Sequence, residues 1–390
     1  MKITNVTPIP LSVARKRKTA QFVPYSQELK ILTSIQTCFV KVQTDANLYG
    51  TGECTVREIP KAHAAVIEKL LKPVLLGADP CDVEALWTRM FNTLRTRGHN
   101  GGIFFEALAG VDCALWDLWG KMQGKPVYKL LGGELRKRVK AYASSVLFGE
   151  DAPTLARRLV EKGHDQIKLK VGIDFRTDVM NVKGIRDTVG YDVELIADAN
   201  SGYGTTQAVK LGRQLERYEV KWFEEPVAPD NINGYIELAR TLDIPIAAGE
   251  SHFSKYTFLE LMSKRAVDII QPNISRSGGI TECRKILSMA EAFNMQYAPH
   301  TGLSGAGCRA ATLQLAATIP EDIFLTYEYG IFPHPFGDPI LVDPVERFSK
   351  GFVDVPDRPG LGLKLNNELV EKYGSPQGRE IIWDDTRIIE

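Results

Sequence analysis

The feature that most constrains how this chain can fold is a series of eight short apolar segments, most of them separated by amphipathic helical patterns. Strands and helices in alternation predict a parallel sheet, and eight strands are the number that closes a (β/α) barrel. An open, doubly wound sheet is less favoured, because no G-x-G-x-x-G motif follows the first strand of either half. The predicted strands are Val139 to Ser144, Gln166 to Val171, Val193 to Asn200, Val220 to Pro226, Ile244 to Glu250, Ala266 to Asn273, Met295 to His300 and Ile323 to Tyr329.

Two further segments flank the barrel pattern. Strand patterns followed by helical patterns come before it and are typical of an α+β unit. The segment after Gly351 is rich in Pro, Gly and Asp and carries no further βα pattern, so we expect it to return to the first unit. The predicted elements of that unit are strands at Ile3 to Leu11 and Thr33 to Gln43, and helices at Ala62 to Leu76, Asp82 to Thr96 and Phe104 to Met122.

The composition excludes some classes of partner. Lys plus Arg equals Asp plus Glu at 48 each, so no net field attracts nucleic acid or an anionic membrane. No apolar run approaches the roughly 20 residues of a membrane span, and the start of the chain lacks the pattern of a secretory signal. The six cysteines form no C-x-x-C pair, which favours reduced thiols and a cytoplasmic protein.

Charged side chains stand at the ends of the predicted strands. In the second strand, Lys168 and Lys170 alternate with apolar residues, so both lysines share the inner face of the barrel. Asp198, Glu224 and Glu250 end the next three strands at an equal interval of 26 residues. One such carboxylate is more often a helix cap or a loop charge. Three in register at the C-terminal mouth predict a site for a hard divalent cation, for which Mg²⁺ is the best fit.

Two more polar residues complete the ring of strand ends. His300 ends the seventh strand, across the barrel from the lysines, so that Lys170 and His300 can approach two faces of one substrate. Glu328 lies on the eighth strand. Two roles for Glu328 stay open: a protonated carboxyl that donates to an enolate oxygen, or a carboxylate that pairs with a basic neighbour.

These motifs resemble those of the mandelate racemase-like subgroup of the enolase superfamily. The shared pattern is K-x-K at Lys168, D-x-N at Asp198, E-E-P at Glu224, G-E-S at Gly249 and the late His300. The resemblance covers nearly the whole chain and implies a modified TIM barrel, (β/α)7β, of class α/β. It also implies an α+β capping domain formed by the N-terminal part and the C-terminal tail. The expected segments are 1–130 (capping), 131–345 (barrel) and 346–390 (tail).

The resemblance also implies roles for individual residues. Asp198, Glu224 and Glu250 become ligands of Mg²⁺, Lys170 the general base, and Lys168 the neighbour that lowers its pKa. Candidate substrate-binding residues are Asn200, Asn273 and Glu328, the last near the substrate carboxylate. The implied substrate is a small carboxylate, an acid sugar or diacid, and the family's habit implies a homo-oligomer.

One position departs from the family pattern: Asn273 replaces the aspartate usually found beside a catalytic histidine. An amide still orients the ring of His300 but adds no negative charge, so a two-base racemase is disfavoured. We therefore expect abstraction of the proton α to a carboxylate, followed by loss of water from an acid sugar to give a 2-keto-3-deoxy acid, with His300 as the acid. The alternatives are a racemase or epimerase, a lactone cycloisomerase, and a non-catalytic barrel that binds sugar acids.

Substrate specificity is expected in two loops of the first unit, Lys16 to Tyr25 and Glu53 to Ile59. A basic run from Arg15 to Lys18 is expected in the loop between the first two strands. It would either recognise a polyhydroxy acid or diacid, or form solvated surface.

Overall fold

The structure is a computed structural model that describes residues 1–23, 28–55, 59–147, 149, 151–375 and 380–384, with backbone alone for 17–23 and 28–32. Its strands are β1 (Ile3–Val23), β2 (Glu28–Thr44), β3 (Tyr49–Cys54), β4 (Arg138–Val146), β5 (Gln166–Lys170), β6 (Glu194–Asp198), β7 (Val220–Glu224), β8 (Ile246–Ala248), β9 (Ile269–Ile270), β10 (Gln296–Tyr297), β11 (Tyr327–Gly330), β12 (Phe348–Ser349), β13 (Phe352–Asp354) and β14 (Ile382–Trp383).

The helices also follow the predicted order. A π-helical stretch, Ile67–Leu71, joins the first two helices, and a 3-10 turn, Asp338–Ile340, follows β11. No helix in the described part of the chain is both long enough and apolar enough to cross a membrane. The α-helices are α1 (Pro60–Val66), α2 (Lys72–Leu75), α3 (Val83–Arg95), α4 (Gly102–Gln123), α5 (Val127–Leu130), α6 (Ala152–Glu161), α7 (Phe175–Val189), α8 (Thr205–Arg217), α9 (Ile232–Thr241), α10 (Ser254–Ser263), α11 (Gly279–Phe293), α12 (Ala306–Ala316) and α13 (Asn367–Gly374).

Strands β4 to β11 form a closed parallel barrel. They pair in the order β10-β9-β8-β7-β6-β5-β4, β11 pairs with β4, and a bridge between Tyr297 and Phe324 joins the remaining two neighbours. Helices α6 to α12 each follow one of the strands β4 to β10, whereas β11 leads into the 3-10 turn and the β12–β13 hairpin. The predicted (β/α)7β barrel is therefore confirmed.

An apolar layer fills the barrel interior just below the ends of the strands. Ile196 and Trp222 precede Asp198 and Glu224 by two positions, and alternation along a strand places all four side chains on the inner face. A dry layer beneath charged side chains keeps water from reaching them from below. The layer consists of Tyr142, Ile196, Trp222, Ala247, Ile269 and Ala298.

The capping domain is a four-stranded sheet, ordered β14-β1-β2-β3, packed against α4. Gly50 on β3 permits this close packing, since a Cβ there would lie 1.9 Å from the backbone oxygen of Ala114 on α4. Strand β14 pairs in parallel with β1, with Ala14 opposite Ile382. The predicted return of the C-terminal tail to the first unit is confirmed, whereas the exact segment boundaries stay a prediction.

Two buried carboxylates of the cap hold barrel helices at their N-termini. Glu53 on β3 accepts from the backbone N–H groups of Gly305 (2.9 Å) and Cys308 (3.1 Å) at the start of α12. Asp112 on α4 accepts from the backbone N–H (3.0 Å) and Oγ1 (2.6 Å) of Thr281 on α11. Carboxylates at helix N-termini satisfy free N–H groups and the helix dipole. These contacts seat the cap on the face of the barrel that carries the strand ends.

The prediction that the basic run Arg15 to Lys18 lies in a loop is wrong. Strand β1 continues to Val23 and pairs with β2 as far as Glu28, with a register shift between Ala14 and Thr19 that absorbs the run. Pairing with β2 resumes beyond the run, from Thr19 opposite Leu32, so the chain continues as a strand instead of looping there. The side chains of residues 17 and 18 lie outside the described part of the chain. Lys16 forms an exposed ion pair with Asp384 at 2.7 Å. Residues 24, 25 and 56–58 of the expected specificity loops also lie outside the described part of the chain.

Candidate active site

Three carboxylates converge at the C-terminal mouth of the barrel. Asp198 and Glu224 are the last residues of β6 and β7, and Glu250 lies two residues beyond β8. Each offers an oxygen within 4.8 Å of the others, and all three are buried. Burial, followed by repulsion from the neighbouring carboxylates, raises the pKa of Glu224 to about 7 despite the nearby ammonium of Lys168. A divalent cation among these hard oxygen ligands would relieve that repulsion, so the donor set fits Mg²⁺.

Two lysines from β5 reach into the same site. The Nζ of Lys168 lies 2.7 Å from Glu224 Oε1, 2.8 Å from Glu328 Oε1 and 3.4 Å from Asp198 Oδ2. The Nζ of Lys170 contacts the same oxygen of Asp198. Burial would lower the pKa of Lys168, but its carboxylate partners outweigh burial and hold that pKa well above its usual value. Lys168 is thus a fixed cation with 1% of its side chain exposed, whereas Lys170, with 21% exposed, faces the mouth.

His300 stands on the other side of the triad, and Asn273 orients its ring. Asn273 Oδ1 accepts from the backbone N–H of Ser275 at 3.0 Å, so Asn273 Nδ2 faces the ring, 3.0 Å from His300 Nδ1. Because an amide nitrogen can only donate, Nδ1 accepts and the ring proton lies on Nε2. His300 Nε2 is 3.1 Å from Glu250 Oε2 and 3.7 Å from Glu328 Oε2, and both oxygens accept protons. His300 therefore presents an N–H donor to the mouth.

Glu328 is held as an ionised carboxylate on β11. Its Oε1 accepts from Ser144 Oγ at 2.6 Å and pairs with Lys168, while its Oε2 accepts from the backbone N–H groups of Thr301 (2.7 Å) and Gly302 (2.9 Å). Burial raises the pKa of Glu328, but the charge of Lys168 and these hydrogen bonds outweigh it and hold the pKa well below its usual value. Of the two roles left open by the sequence, these contacts favour pairing with a basic neighbour.

The two asparagines expected near the substrate occupy different places. Asn200 is exposed at the mouth, where its Oδ1 accepts from Lys170 Nζ at 2.7 Å and its backbone N–H donates to Asp198 Oδ1 at 2.9 Å. Asn273 is fully buried, and both atoms of its amide contact protein groups. Asn200 stays a candidate for substrate contact, while Asn273 acts on the site through His300.

Sequence reasoning missed two residues that orient Glu224. Gln271 Nε2 donates to Glu224 Oε2 at 2.8 Å, and Trp222 Nε1 donates to the same oxygen at 3.2 Å. The signal was present for Gln271, which lies two positions before Asn273 in the sixth predicted strand and so shares its inner face. A buried glutamine on an inner face needs a hydrogen-bond partner.

A second missed group comes from the cap. Thr55 Oγ1 lies 3.4 Å from Asn273 Oδ1, to which it donates, and 3.2 Å from Ser304 Oγ. Asn273 Nδ2 also donates to Ser304 Oγ at 3.1 Å. The cap therefore takes part in the hydrogen-bond network around the histidine. No sequence pattern marks such contacts, because they join residues from three separate segments.

Two segments of the chain match described protein families. Residues 11–132 match the family described as "Mandelate racemase / muconate lactonizing enzyme, N-terminal domain". Residues 151–369 match the family described as "Enolase C-terminal domain-like". Together these matches cover most of β1, all of β2 and β3, the barrel strands β5 to β11 and the strand ends that carry the site.

Two curated relatives and one solved structure are similar over most of the chain. A D-galactarolactone cycloisomerase from Agrobacterium fabrum is 33% identical, over 86% of this chain and 91% of the relative. An arabinonate dehydratase from Saccharolobus solfataricus is 35% identical, over 85% and 89%. The crystal structure of a racemase from Streptomyces coelicolor with bound magnesium superimposes with a TM-score of 0.84 at 28% identity, over 95% of this chain and 99% of that one.

Proposed function

The chain belongs to the mandelate racemase and muconate lactonizing enzyme family of the enolase superfamily, and from that premise we propose that it dehydrates an acid sugar to a 2-keto-3-deoxy acid. In this reaction the proton α to a carboxylate is removed and a hydroxyl leaves the β carbon. The arabinonate dehydratase among the relatives supports a substrate of this class. The observation that carries the proposal is the pair of unlike groups at the triad: Lys170 on one side and the N–H of His300 on the other.

We propose Mg²⁺ as the cofactor, with Asp198, Glu224 and Glu250 as its ligands. When bound, the ion would help to neutralise the negative charge that develops on the substrate carboxylate as the α proton leaves. The oxygen donor set and its mutual repulsion support this assignment. Lys168 adds a fixed positive charge beside the triad, in a site whose floor is apolar.

Lys170 is the residue we propose to take the α proton at its Nζ. Its side chain is the more exposed of the two lysines, and its partners Asp198 and Asn200 hold it at the mouth. The expected effect of Lys168 on the protonation of Lys170 stays a prediction. A substrate carboxylate held near the triad would bring its α carbon within reach of this amine.

His300 is the residue we propose to assist the leaving hydroxyl, through the proton on Nε2. Because that nitrogen already carries a proton, it has no free lone pair. His300 therefore cannot act as a base that takes the α proton from the opposite face. The geometry thus supports elimination with one base over racemisation or epimerisation with two. Removal of the donor would leave the α proton labile but slow the loss of the hydroxyl.

A lactone cycloisomerase is the second candidate, and the relative from Agrobacterium favours it. Such a reaction also begins with α-proton removal, but the group expelled from the β carbon is a lactone oxygen, so no water is released. Lys170 and His300 would keep the same roles at the same atoms. The two candidates differ in the substrate consumed, since an open acid that loses water and its lactone that is isomerised can give the same keto acid, so each substrate has to be supplied separately.

The test is a screen of acid sugars and their lactones with purified protein and Mg²⁺ in deuterated water. We expect deuterium at the α carbon, formation of a 2-keto acid from at least one acid sugar, and loss of both signals on chelation. Products would be identified by NMR spectroscopy, and separate incubations with an open acid and with its lactone would show which of the two is consumed. A full screen without exchange or product would overturn the proposal in favour of a binding protein.

Compartment and assembly complete the proposal. All six cysteines are free thiols, which supports a reducing compartment, and we place the enzyme in the cytoplasm. We expect a homo-oligomer on family grounds. Light scattering coupled to size-exclusion chromatography would measure the mass of the particle against the 43.4 kDa of one chain.

A further inference from the structure

A partly buried carboxylate of the cap, Glu106 on α4, lies between a histidine and an arginine. Its Oε2 is 2.8 Å from His63 Nε2 on α1, and its Oε1 accepts from Arg276 Nε at 2.9 Å. The other ring nitrogen of His63 lies 3.2 Å from the backbone oxygen of Ile59. Both partners of the ring are acceptors, so both nitrogens donate only when the imidazole is doubly protonated. Glu106 thus bridges a histidine of the cap and an arginine of the barrel.

The barrel end of this chain of contacts reaches the triad. Arg276 lies in the loop between β9 and α11, and its Nη1 donates to the backbone oxygen of Glu250 at 2.8 Å. Its guanidinium also lies over the ring of Phe253, 5.0 Å from the ring centroid. Only 14% of the arginine side chain and 12% of the glutamate side chain are exposed, so water screens the pair weakly. We call His63, Glu106 and Arg276 the cap relay.

Glu250 needs such a contact more than the other two carboxylates do. Asp198 and Glu224 are the last residues of regular strands, whose ladders fix their backbones. Strand β8 ends at Ala248, and Gly249 follows with φ of 153°, so Glu250 stands outside the ladder. Gly249 is also pressed against Gln271, where a Cβ would lie 2.6 Å from backbone atoms. A hydrogen bond to the carbonyl of Glu250 therefore fixes a peptide that the sheet itself does not hold.

We propose that the cap relay is a positioning device, through which the capping domain sets the orientation of Glu250 for binding of a divalent cation. The proposal rests on the Mg²⁺ site proposed above and extends it to residues that touch neither ion nor substrate. Partners that orient a metal ligand commonly change affinity by about 10–100-fold when removed. Loss of the charge on Glu106 frees Arg276, and with it the carbonyl of Glu250.

The chain offers a matched control for this test. Glu84 on α3 pairs with Lys285 on α11 at 2.8 Å, which also joins a cap carboxylate to a barrel cation. That pair is exposed, with 56% of the glutamate side chain accessible, and it touches no residue of the site. Glu84→Gln therefore removes a cap-to-barrel ion pair without altering the cap relay.

The experiment titrates Mg²⁺ alone into the full chain by calorimetry, with wild type, Glu106→Gln, Arg276→Lys and Glu84→Gln. We expect roughly tenfold weaker binding in Glu106→Gln and wild-type affinity in Glu84→Gln. Arg276→Lys covers the case in which Glu106→Gln does not fold. It keeps the positive charge, but an ammonium cannot reproduce the fork that holds both Glu106 and the carbonyl of Glu250, so affinity should also fall.

The outcomes separate the cap relay from the metal site. If wild type binds Mg²⁺ and both relay variants, checked as folded by near-UV circular dichroism, bind it equally well, the cap relay is overturned and the metal site stands. If wild type itself takes up no Mg²⁺, both proposals are overturned. An equal loss in Glu84→Gln would also overturn the cap relay, since any cap-to-barrel pair would then have the same effect.

Discussion

The two sides of the barrel mouth differ in the charge of their contacts and in the domains that supply them. On the lysine side, the ion pairs of Lys168 and Lys170 within the described part of the chain are with carboxylates of the barrel, chiefly those of β6 and β7. On the histidine side, His300 is oriented by the neutral amide of Asn273, which in turn contacts Thr55 of the cap. One side is charged and belongs to the barrel alone, and the other is neutral at its orienting contact and shared between two domains.

This difference teaches how one site can treat the two faces of a substrate differently. Lys170 reaches the mouth, where its amine can meet the α proton of a bound substrate. An imidazole held by an amide donor keeps its proton on the nitrogen that faces the mouth. The asymmetry predicts one proton-accepting face and one proton-donating face, and each side can be broken separately.

The largest expected effect comes from removal of the base on the lysine side. Lys170→Ala should lose α-proton exchange and product formation together, by a factor on the order of 10²–10⁴, which is the usual contribution of general acid–base catalysis. Deuterium incorporation measured by NMR spectroscopy checks this. Exchange at the wild-type rate in the variant would show that another group takes the proton.

Removal of the donor on the histidine side should separate two signals that fall together in Lys170→Ala. In His300→Asn the shorter side chain cannot place an N–H where Nε2 lies. Formation of the keto acid should then drop by about 10², while α-proton exchange continues within a few-fold of wild type. The ratio of exchange to product, taken from one NMR time course, is the measurement. Unimpaired dehydration in this variant would contradict the role assigned to His300.

Substitution of a carboxylate for the amide of Asn273 should reduce the difference between the two faces of the site. In Asn273→Asp a carboxylate accepts from Nδ1, so the ring proton moves there and Nε2 gains a free lone pair. We expect exchange or epimerisation at the opposite face to appear, with dehydration reduced by about tenfold or less, the worth of one hydrogen bond. Chiral analysis of recovered substrate checks this. Asn273→Ala is the control, because alanine offers His300 Nδ1 neither an amide donor nor a carboxylate acceptor. Inverted substrate from wild type at the same rate would refute the proposed asymmetry.

The smallest expected effect is a pH dependence of the melting temperature, which arises from Glu224 on the lysine side. The pKa of Glu224 is raised from its ordinary value of 4.5 to about 7, chiefly by burial. A raised pKa stabilises the fold fully below pH 4.5, and that contribution is lost as pH rises through about 7. In chelator the melting temperature of wild type should therefore fall from pH 5 to pH 7.5 more than that of Glu224→Gln, and saturating Mg²⁺ should reduce the difference. Equal slopes in chelator would argue against the raised pKa.

Much of the site could be predicted because its residues lie on strands or within three positions of a strand's C-terminal end. Period-two alternation places Lys168 and Lys170 on one face, and the C-terminal ends of parallel strands meet at one mouth, which gathers Asp198, Glu224 and Glu250. The closed eight-stranded barrel follows from the same alternation of patterns, and the structure confirms it. Local rules were enough wherever the sheet itself sets the geometry.

The rest depends on contacts between distant segments, which no local pattern encodes. The direction of the Asn273 amide follows from the backbone N–H of Ser275, and Thr55 reaches it from another domain. Glu106 reads in the sequence as one more charge on a helix, yet it lies between a histidine of the cap and an arginine of the barrel. The extension of β1 to Val23 depends on its long pairing with β2. Each of these is a consequence of packing across the chain.

The pairing of β14 with β1 carries a consequence for how the protein is made. Ala14 meets its partner Ile382 only after the ribosome has added the whole barrel in between. At about 5–20 residues per second this takes on the order of half a minute. During that interval the outer edge of β1 is open to other nascent chains, as any unpaired strand edge is. We therefore expect mispairing of β1 with another chain more often during synthesis on crowded polysomes than during refolding of the finished chain.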